Sequence, residues 1–250
     1  MVKLVINPDF SFLDSYIKSI PELFKDSGEV IYEARNIIKV FEKDSYKINV
    51  KYFKKPHIIN QFVYSNLRRS KACRSYKYAM RLTEMGFNTP APIAYLEQKD
   101  LFLLKHSLYI SIHEEFDGLL RCLQRGTLEQ HADLIRQFAH FTADLHSKNV
   151  LHIDYSSGNI LYKYNDGKYK FYLVDLNRMT FDRPVDMDRA CHNFRRLWGS
   201  DEMMELFVKE YAKKRNFDEK ECLHLTFKYR TEFWDRYTAQ YPGMAPYHAD

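Results

Sequence analysis

Apolar and polar positions recur with two different periods along this chain, and the change of period divides it. From residue 28 to 113 the short period dominates. Val30-Ile31-Tyr32, Ile37-Ile38-Lys39-Val40-Phe41 and the run from Tyr46 to Phe53 predict three strands, with Lys43-Asp44-Ser45 turning between the last two. In the third strand Ile48, Val50 and Tyr52 share one face, while Lys47, Asn49, Lys51 and Phe53 share the other. Residues 93–97 and 108–113 predict two more strands. Helical spacing marks residues 10–27, through Phe10, Phe12, Leu13, Tyr16, Ile17 and Ile20. It marks residues 61–85 again, through Phe62, Tyr64, Leu67, Ala72, Tyr76, Ala79, Met80 and Leu82, ended by Gly86 and a rigid Thr89-Pro90-Ala91-Pro92 exit.

After a polar connector, Glu114 to Gly118, the long period takes over. Leu134, Ile135, Phe138, Phe141 and Leu145 form one side of a helix, and Asp186 and Asp188 are expected to cap a later one. Residues 201–241 read as helical, with Leu206, Phe207, Tyr211, Leu223, Leu225, Phe227, Tyr229, Phe233 and Trp234 as the expected core. The exception is a hairpin over 160–175, turning at Asn165-Asp166-Gly167. The pattern predicts an α+β protein in two lobes. The first, 1–116, has an N-terminal helical segment, a five-stranded sheet and one helix. The second, 117–250, is mostly helical and carries the hairpin.

That hairpin joins the residues with the clearest chemistry. His152-Ile153-Asp154-Tyr155-Ser156-Ser157-Gly158-Asn159 has the spacing HxDxxxxN, and Asp175 follows Asn159 by sixteen positions. In phosphoryl transfer a loop carboxylate orients the attacking hydroxyl and accepts its proton, while an amide and a second carboxylate hold Mg²⁺ on the nucleotide phosphates. Asp154 suits the first role, and Asn159 with Asp175 the second. The competing reading is a surface loop, since Asp, Ser, Gly and Asn all favour turns. The strand-terminal acid at hairpin distance favours the chemical reading. His152 is read as a structural brace. Tyr155, Ser156 and Ser157 either line an acceptor pocket or pack the turn. Lys51 also has two readings: a cleft lysine that pairs with the α- and β-phosphates, or one more solvated charge beside Lys47, Lys54 and Lys55.

Composition narrows the setting. At 250 residues and 45% hydrophobic content the chain can bury a sizeable core, and 8 Gly with 8 Pro argue against long disordered linkers. Lys and Arg number 38 against 33 acids, a mild excess of +5 that suits a nucleotide, a phosphorylated substrate or an acidic membrane surface. The basic run Arg68, Arg69, Lys71, Arg74 and Lys77 is read as a solvated face or, with Lys54 and Lys55, as a patch for an anionic substrate. Lys209, Lys213, Lys214 and Arg215 form a similar run. Four scattered cysteines without a CxxC pair predict reduced thiols rather than disulfides or a metal framework. With no apolar run near the ~20 residues of a bilayer span and no signal-peptide core, the expected location is the cytoplasm, at most peripheral at the inner face of the membrane.

The order of these parts resembles the protein-kinase-like fold, and more closely the lipopolysaccharide core kinase (Kdo/WaaP) family. Arg35-Asn36-Ile37-Ile38-Lys39 is similar to the family's first hairpin, and Val50 to Pro56 to its lysine strand. Arg69-Ser70-Lys71-Ala72 and Gly86 to Pro92 resemble two further segments, the HxDxxxxN loop and Asp175 its catalytic centre, and Asp188 to Leu197 the helix beyond. The resemblance implies ATP and Mg²⁺ as cofactors, with phosphate passing to a Kdo or heptose hydroxyl of the anionic lipid A–core glycolipid. It implies no nucleic-acid partner. It also implies nucleotide-binding roles for Lys51, Asn159 and Asp175, with Asp154 catalytic, and Arg35 is expected to join the nucleotide-binding set by its charge.

Three positions depart from protein-kinase practice. Glu33 to Asn36 contains no glycine where a phosphate loop would lie, so Arg35 would have to substitute by charge. Ser75 stands where a glutamate would hold the lysine, and Asn49 where a small residue would underlie the adenine. A kinase of small molecules or proteins, and a catalytically weak pseudokinase, are therefore the alternatives.

Overall fold

The computed structural model describes residues 2–54, 69–100 and 103–248, without the side chains of Asp100 and Leu103. The chain divides into two compact units, Met1–Glu115 and Phe116–Asp250.

The first unit is a sheet covered on both faces. Its strands are β1 (Val2–Ile6), β2 (Glu29–Glu33), β3 (Asn36–Lys43), β4 (Tyr46–Phe53), β5 (Pro92–Asp100) and β6 (Leu103–Ile112). They lie in the order β1-β5-β6-β4-β3-β2, every neighbouring pair antiparallel. The sixth strand is β1, which the alternation did not predict. Helix α1 (Asp14–Asp26) lays Ile17, Ile20 and Phe24, with Leu13 just before it, against Ile48, Val50, Leu96, Leu108 and Ile110. Helix α2 (Lys71–Glu84) covers the opposite face, where Ala72, Cys73 and Tyr76 meet Phe53 and Tyr95.

Two expectations change here. Helix α2 starts at Lys71 because the Ser70 hydroxyl caps it, accepting from the backbone N–H of Cys73. Arg69 and Ser70 precede it, while Phe62, Tyr64, Leu67, Arg68, Lys55 and Pro56 lie outside the described residues. The basic face of this helix is also not uniformly solvated, since Arg74 is buried.

The second unit holds helices α3 (Leu128–Ser147), α4 (Met187–Phe194), α5 (Asp201–Arg215) and α6 (Glu219–Gln240). Between α3 and α4 run β8 (Leu151–His152), β9 (Ile160–Asn165), β10 (Lys168–Leu173) and β11 (Met179–Thr180), with β7 (Gly118–Leu119) pairing β9. This unit thus has three short strands besides the predicted hairpin. Asp186 caps α4, accepting from the N–H of Arg189, whereas Asp188 accepts from the Tyr229 hydroxyl. The aromatic core is built by Phe138, Phe194, Phe207 and Tyr211. The buried stripe of α6 is Cys222, Thr226, Arg230 and Trp234, while Leu223, Leu225 and Phe227 are only half-buried. Arg230 tolerates burial because its guanidinium donates to the carbonyls of Leu197 and Gly199.

Candidate active site

Helix α3 begins with a capping box at Thr127 and Gln130 and delivers the chain to the HxDxxxxN loop. Asn149, at φ 59°, turns the chain into β8. There His152 pairs in register with Met179 and Leu151 with Thr180, so the loop's entrance is hydrogen-bonded to the segment beyond Asp175. The loop's exit is tied in the same way. The β9–β10 hairpin is closed by Asp166 and Gly167, both at positive φ, as a two-residue turn matched to strand twist requires. Its ladder continues one bond further, from the Val174 N–H to the Asn159 carbonyl at 3.0 Å. The loop and the strand-terminal acid are therefore brought together at one end of the hairpin.

His152 is fully buried and fastens the two segments. Its Nε2–H donates to the Val174 carbonyl at 3.0 Å, and Asn193 of α4 donates to the His152 carbonyl at 2.9 Å. Burial, outweighing the Val174 carbonyl and the nearby Asp175 and Asp154 carboxylates, holds the imidazole below its ordinary pKa.

Asp154 is about four-fifths buried and accepts from two guanidinia. Arg178 Nη1 lies 3.1 Å from its Oδ1, and Arg196 Nη1 lies 2.9 Å from the same oxygen. The amide nitrogen of Asn159 donates to the Asp154 backbone carbonyl at 2.9 Å, which leaves the amide oxygen as its ligating atom. Asp175 takes a left-handed backbone at φ 56°, and its Oδ1 accepts from Asn177 at 2.8 Å. An amide oxygen and a carboxylate are the ligands a hard cation such as Mg²⁺ prefers, so this pair fits the ion.

The residues between Asp154 and Asn159 divide between the two readings given to them. Tyr155 is buried; it stacks on Phe138 at 5.9 Å and shares a 2.8 Å hydrogen bond with Thr142. Ser157 is buried as well, accepting from the Trp198 N–H at 2.9 Å. Both pack the loop. Ser156 and Gly158 instead face a cavity lined by Arg121, Arg196 and Trp198. Sequence reasoning missed Arg121, Arg178 and Arg196 because each reaches the loop from a distant segment.

In the first unit, Lys51 is half-buried on the α2 face of β4, its Nζ 5.4 Å from the centre of the Phe53 ring, with Lys71 5.9 Å above the same ring. Both readings of Lys51, a phosphate-pairing lysine and a charge at the protein surface, are compatible with this placement. Ser75 is buried in α2 and supplies no carboxylate. A carboxylate does occur on that sheet face: Glu97 of β5 is 6% exposed and pairs across Ser107 toward Phe53. Arg35 is exposed between β2 and β3, where Lys54 Nζ donates to the Ala34 carbonyl at 2.9 Å. Among the described residues no helix is long and apolar enough to cross a membrane.

Comparison with known proteins gives concordant results. Residues 23–229 match the profile of the Lipopolysaccharide kinase (Kdo/WaaP) family. A 3-deoxy-D-manno-octulosonic acid kinase of Pasteurella multocida (strain Pm70) is 27% identical over 173 residues, 67% of this chain and 66% of that relative. The solved structure of WaaP in complex with acyl carrier protein superposes with a TM-score of 0.63 at 16% identity, covering 93% of this chain and 99% of that one. The likeness to that structure shows a shared fold, and the profile match over most of the sequence shows the lineage. The chain belongs to the lipopolysaccharide kinase (Kdo/WaaP) family.

Proposed function

We propose that this protein transfers the γ-phosphoryl group of ATP to a sugar hydroxyl of the lipopolysaccharide inner core. The observation that carries the reading is the assembly of Asp154, Asn159 and Asp175 at one end of the β9–β10 hairpin, fastened by His152. Asp154 orients the hydroxyl and takes its proton as the sugar oxygen bonds to the γ-phosphorus. The bond from that phosphorus to the bridging oxygen breaks, and ADP leaves. Arg178 and Arg196 fix the carboxylate in one orientation, which lowers the entropic cost of presenting it to the acceptor. Asn159 and Asp175 would hold Mg²⁺, which would supply neutralising charge to the nucleotide phosphates when bound. Lys51 steadies the α- and β-phosphates, and Arg35 contributes positive charge in place of a glycine-rich loop.

An octulosonic acid acceptor is favoured over heptose by the named relative from Pasteurella multocida. The basic excess of the chain suits an anionic glycolipid at the inner membrane face. The test is transfer of label from γ-labelled ATP to purified lipid A bearing octulosonic acid, to heptose-containing core and to a generic protein substrate. Label is expected in the octulosonic acid glycolipid. Label in heptose core alone would reassign the sugar, and label in protein alone would overturn the glycolipid reading.

A further inference from the structure

Beside the HxDxxxxN loop lies a cavity of about 110 Å³, lined by Arg121, Ser156, Gly158, Arg196, Trp198 and Trp234. It is large enough to admit a carboxylate or phosphate group.

Its chemistry is that of an anion receptor. Arg121 lies over the Trp198 ring, its guanidinium carbon 4.9 Å from the ring centre. Its Nη2 would come within 3.0 Å of a Cβ at position 158, so the group is pressed against the loop at the one residue without a side chain. Arg121 is exposed, and among the described residues no carboxylate forms an ion pair with it. Arg196 lines the same cavity and touches Asp154 Oδ1 at 2.9 Å, so an anion seated here lies within one guanidinium of the proposed base.

The wall is rigid rather than incidental. Trp198 is held on both sides by Arg230, which donates to the carbonyls of Leu197 and Gly199, and its own N–H is taken by Ser157. Trp234 packs edge-on to Trp198, with ring centres 6.4 Å apart. Burial pushes the pKa of the neighbouring Arg195 down, with Arg196, Arg236 and Arg178 acting in the same direction and Asp154 against them.

We infer that this cavity is the acceptor-anion subsite: Arg121 and Arg196 grip an anionic substituent of the acceptor sugar and so set which hydroxyl meets Asp154. The inference rests on the proposed sugar kinase reading and adds the recognition element to it. A carboxylate on the sugar itself and a phosphate on a neighbouring sugar are the two sources of such a group, and both offer oxygens matched to a guanidinium fork.

The chain contains two tryptophans, Trp198 and Trp234, and both line the cavity, so intrinsic fluorescence reports on it without turnover. Full-length protein is titrated without ATP with a 2-keto-3-deoxy sugar acid, its methyl ester, and a sugar phosphate. A saturable change with the acid and none with the ester identifies a carboxylate subsite; saturation by the sugar phosphate alone identifies a phosphate subsite. In either case Arg121→Gln, at an exposed position, weakens binding about tenfold or more, and Arg121→Lys restores part of it. No response to either anion, equal binding of acid and ester without phosphate binding, or an unchanged Kd in Arg121→Gln overturns the inference. The acceptor KM separates the two proposals. Transfer with an unchanged acceptor KM in Arg121→Gln would sink the subsite and leave the kinase. Anion binding without any transfer would sink the kinase and leave an anion-binding cavity with no acceptor role.

Discussion

The loop that presents Asp154 is held from beneath by one buried hydroxyl pair, and the two halves of that pair differ in cost. Thr142 Oγ1 donates to the Phe138 carbonyl at 2.8 Å and therefore accepts from the Tyr155 hydroxyl, also at 2.8 Å. Removing the tyrosine hydroxyl in Tyr155→Phe leaves Thr142 with its carbonyl partner and keeps the ring on Phe138, so it costs ~1 kcal/mol, one hydrogen bond. Removing the threonine hydroxyl in Thr142→Val strands a donor whose residue is 1% exposed, a penalty of ~1–3 kcal/mol. In a unit the size of Phe116–Asp250, where 1 kcal/mol is worth about 3–5 °C, the first variant melts about 4 °C low and the second up to about 12 °C low. The double variant leaves no buried hydroxyl unpaired and returns to about the Tyr155→Phe level, well short of the sum. Thermal melts of the four proteins, with transfer assays alongside, measure the cycle. Tyr155→Phe proving costlier than Thr142→Val, or strictly additive losses, would refute this account of the loop's support.

Three further outcomes follow from particular contacts. His146 is fully buried with Nδ1 against the Tyr211 hydroxyl, and burial lowers its pKa to about 3, so the folded form stays neutral where the unfolded chain takes a proton below about 6.5. Stability should thus fall as pH drops from 6.5 to 5.5, by about 1.4 kcal/mol per unit once below the unfolded value, with His152 adding in the same direction. Urea midpoints that stay level across that range would contradict it. Gly28→Ala puts a Cβ 2.6 Å from Phe41 Cζ at φ 85°, whereas Gly86→Ala at φ 83° meets nothing within 4 Å. The first should cost ~2–4 kcal/mol and the second ~1 kcal/mol, read from denaturation midpoints; equal losses would show that the Phe41 ring gives way. Lys51→Met should raise the KM for ATP about tenfold while leaving acceptor affinity unchanged, and an unaltered ATP KM would remove Lys51 from the phosphate site.

Local signals made most of the fold legible. The predicted strands of the first unit share one period, and Asp166-Gly167 defines its turn by backbone demands alone. Strand β1 escaped because five residues of weak alternation acquire meaning only when paired with β5, some ninety positions later. The stripe of α6 was misread for a related reason: Thr226 and Arg230 look solvent-facing until the carbonyls of Leu197 and Gly199 are seen to receive the guanidinium. The same division runs through the site. Asp154, Asn159 and Asp175 announced themselves through spacing within one hairpin. Arg178 and Arg196 reach Asp154 from 24 and 42 positions away, and Arg121 reaches Gly158 from before α3. Spacing along a chain carries no record of such approaches.

The most direct test of the mechanism compares wild type with Asp154→Asn, a change that keeps side-chain size and one oxygen for Arg178 and Arg196. With γ-labelled ATP and purified inner-core glycolipid, wild type should label the lipid. The variant, verified as folded by its melting curve, should fall by ~10²–10⁴-fold with ATP affinity retained. Transfer by the variant at the wild-type rate would contradict the role given to Asp154 and, with it, the account of the loop as the phosphoryl-transfer centre.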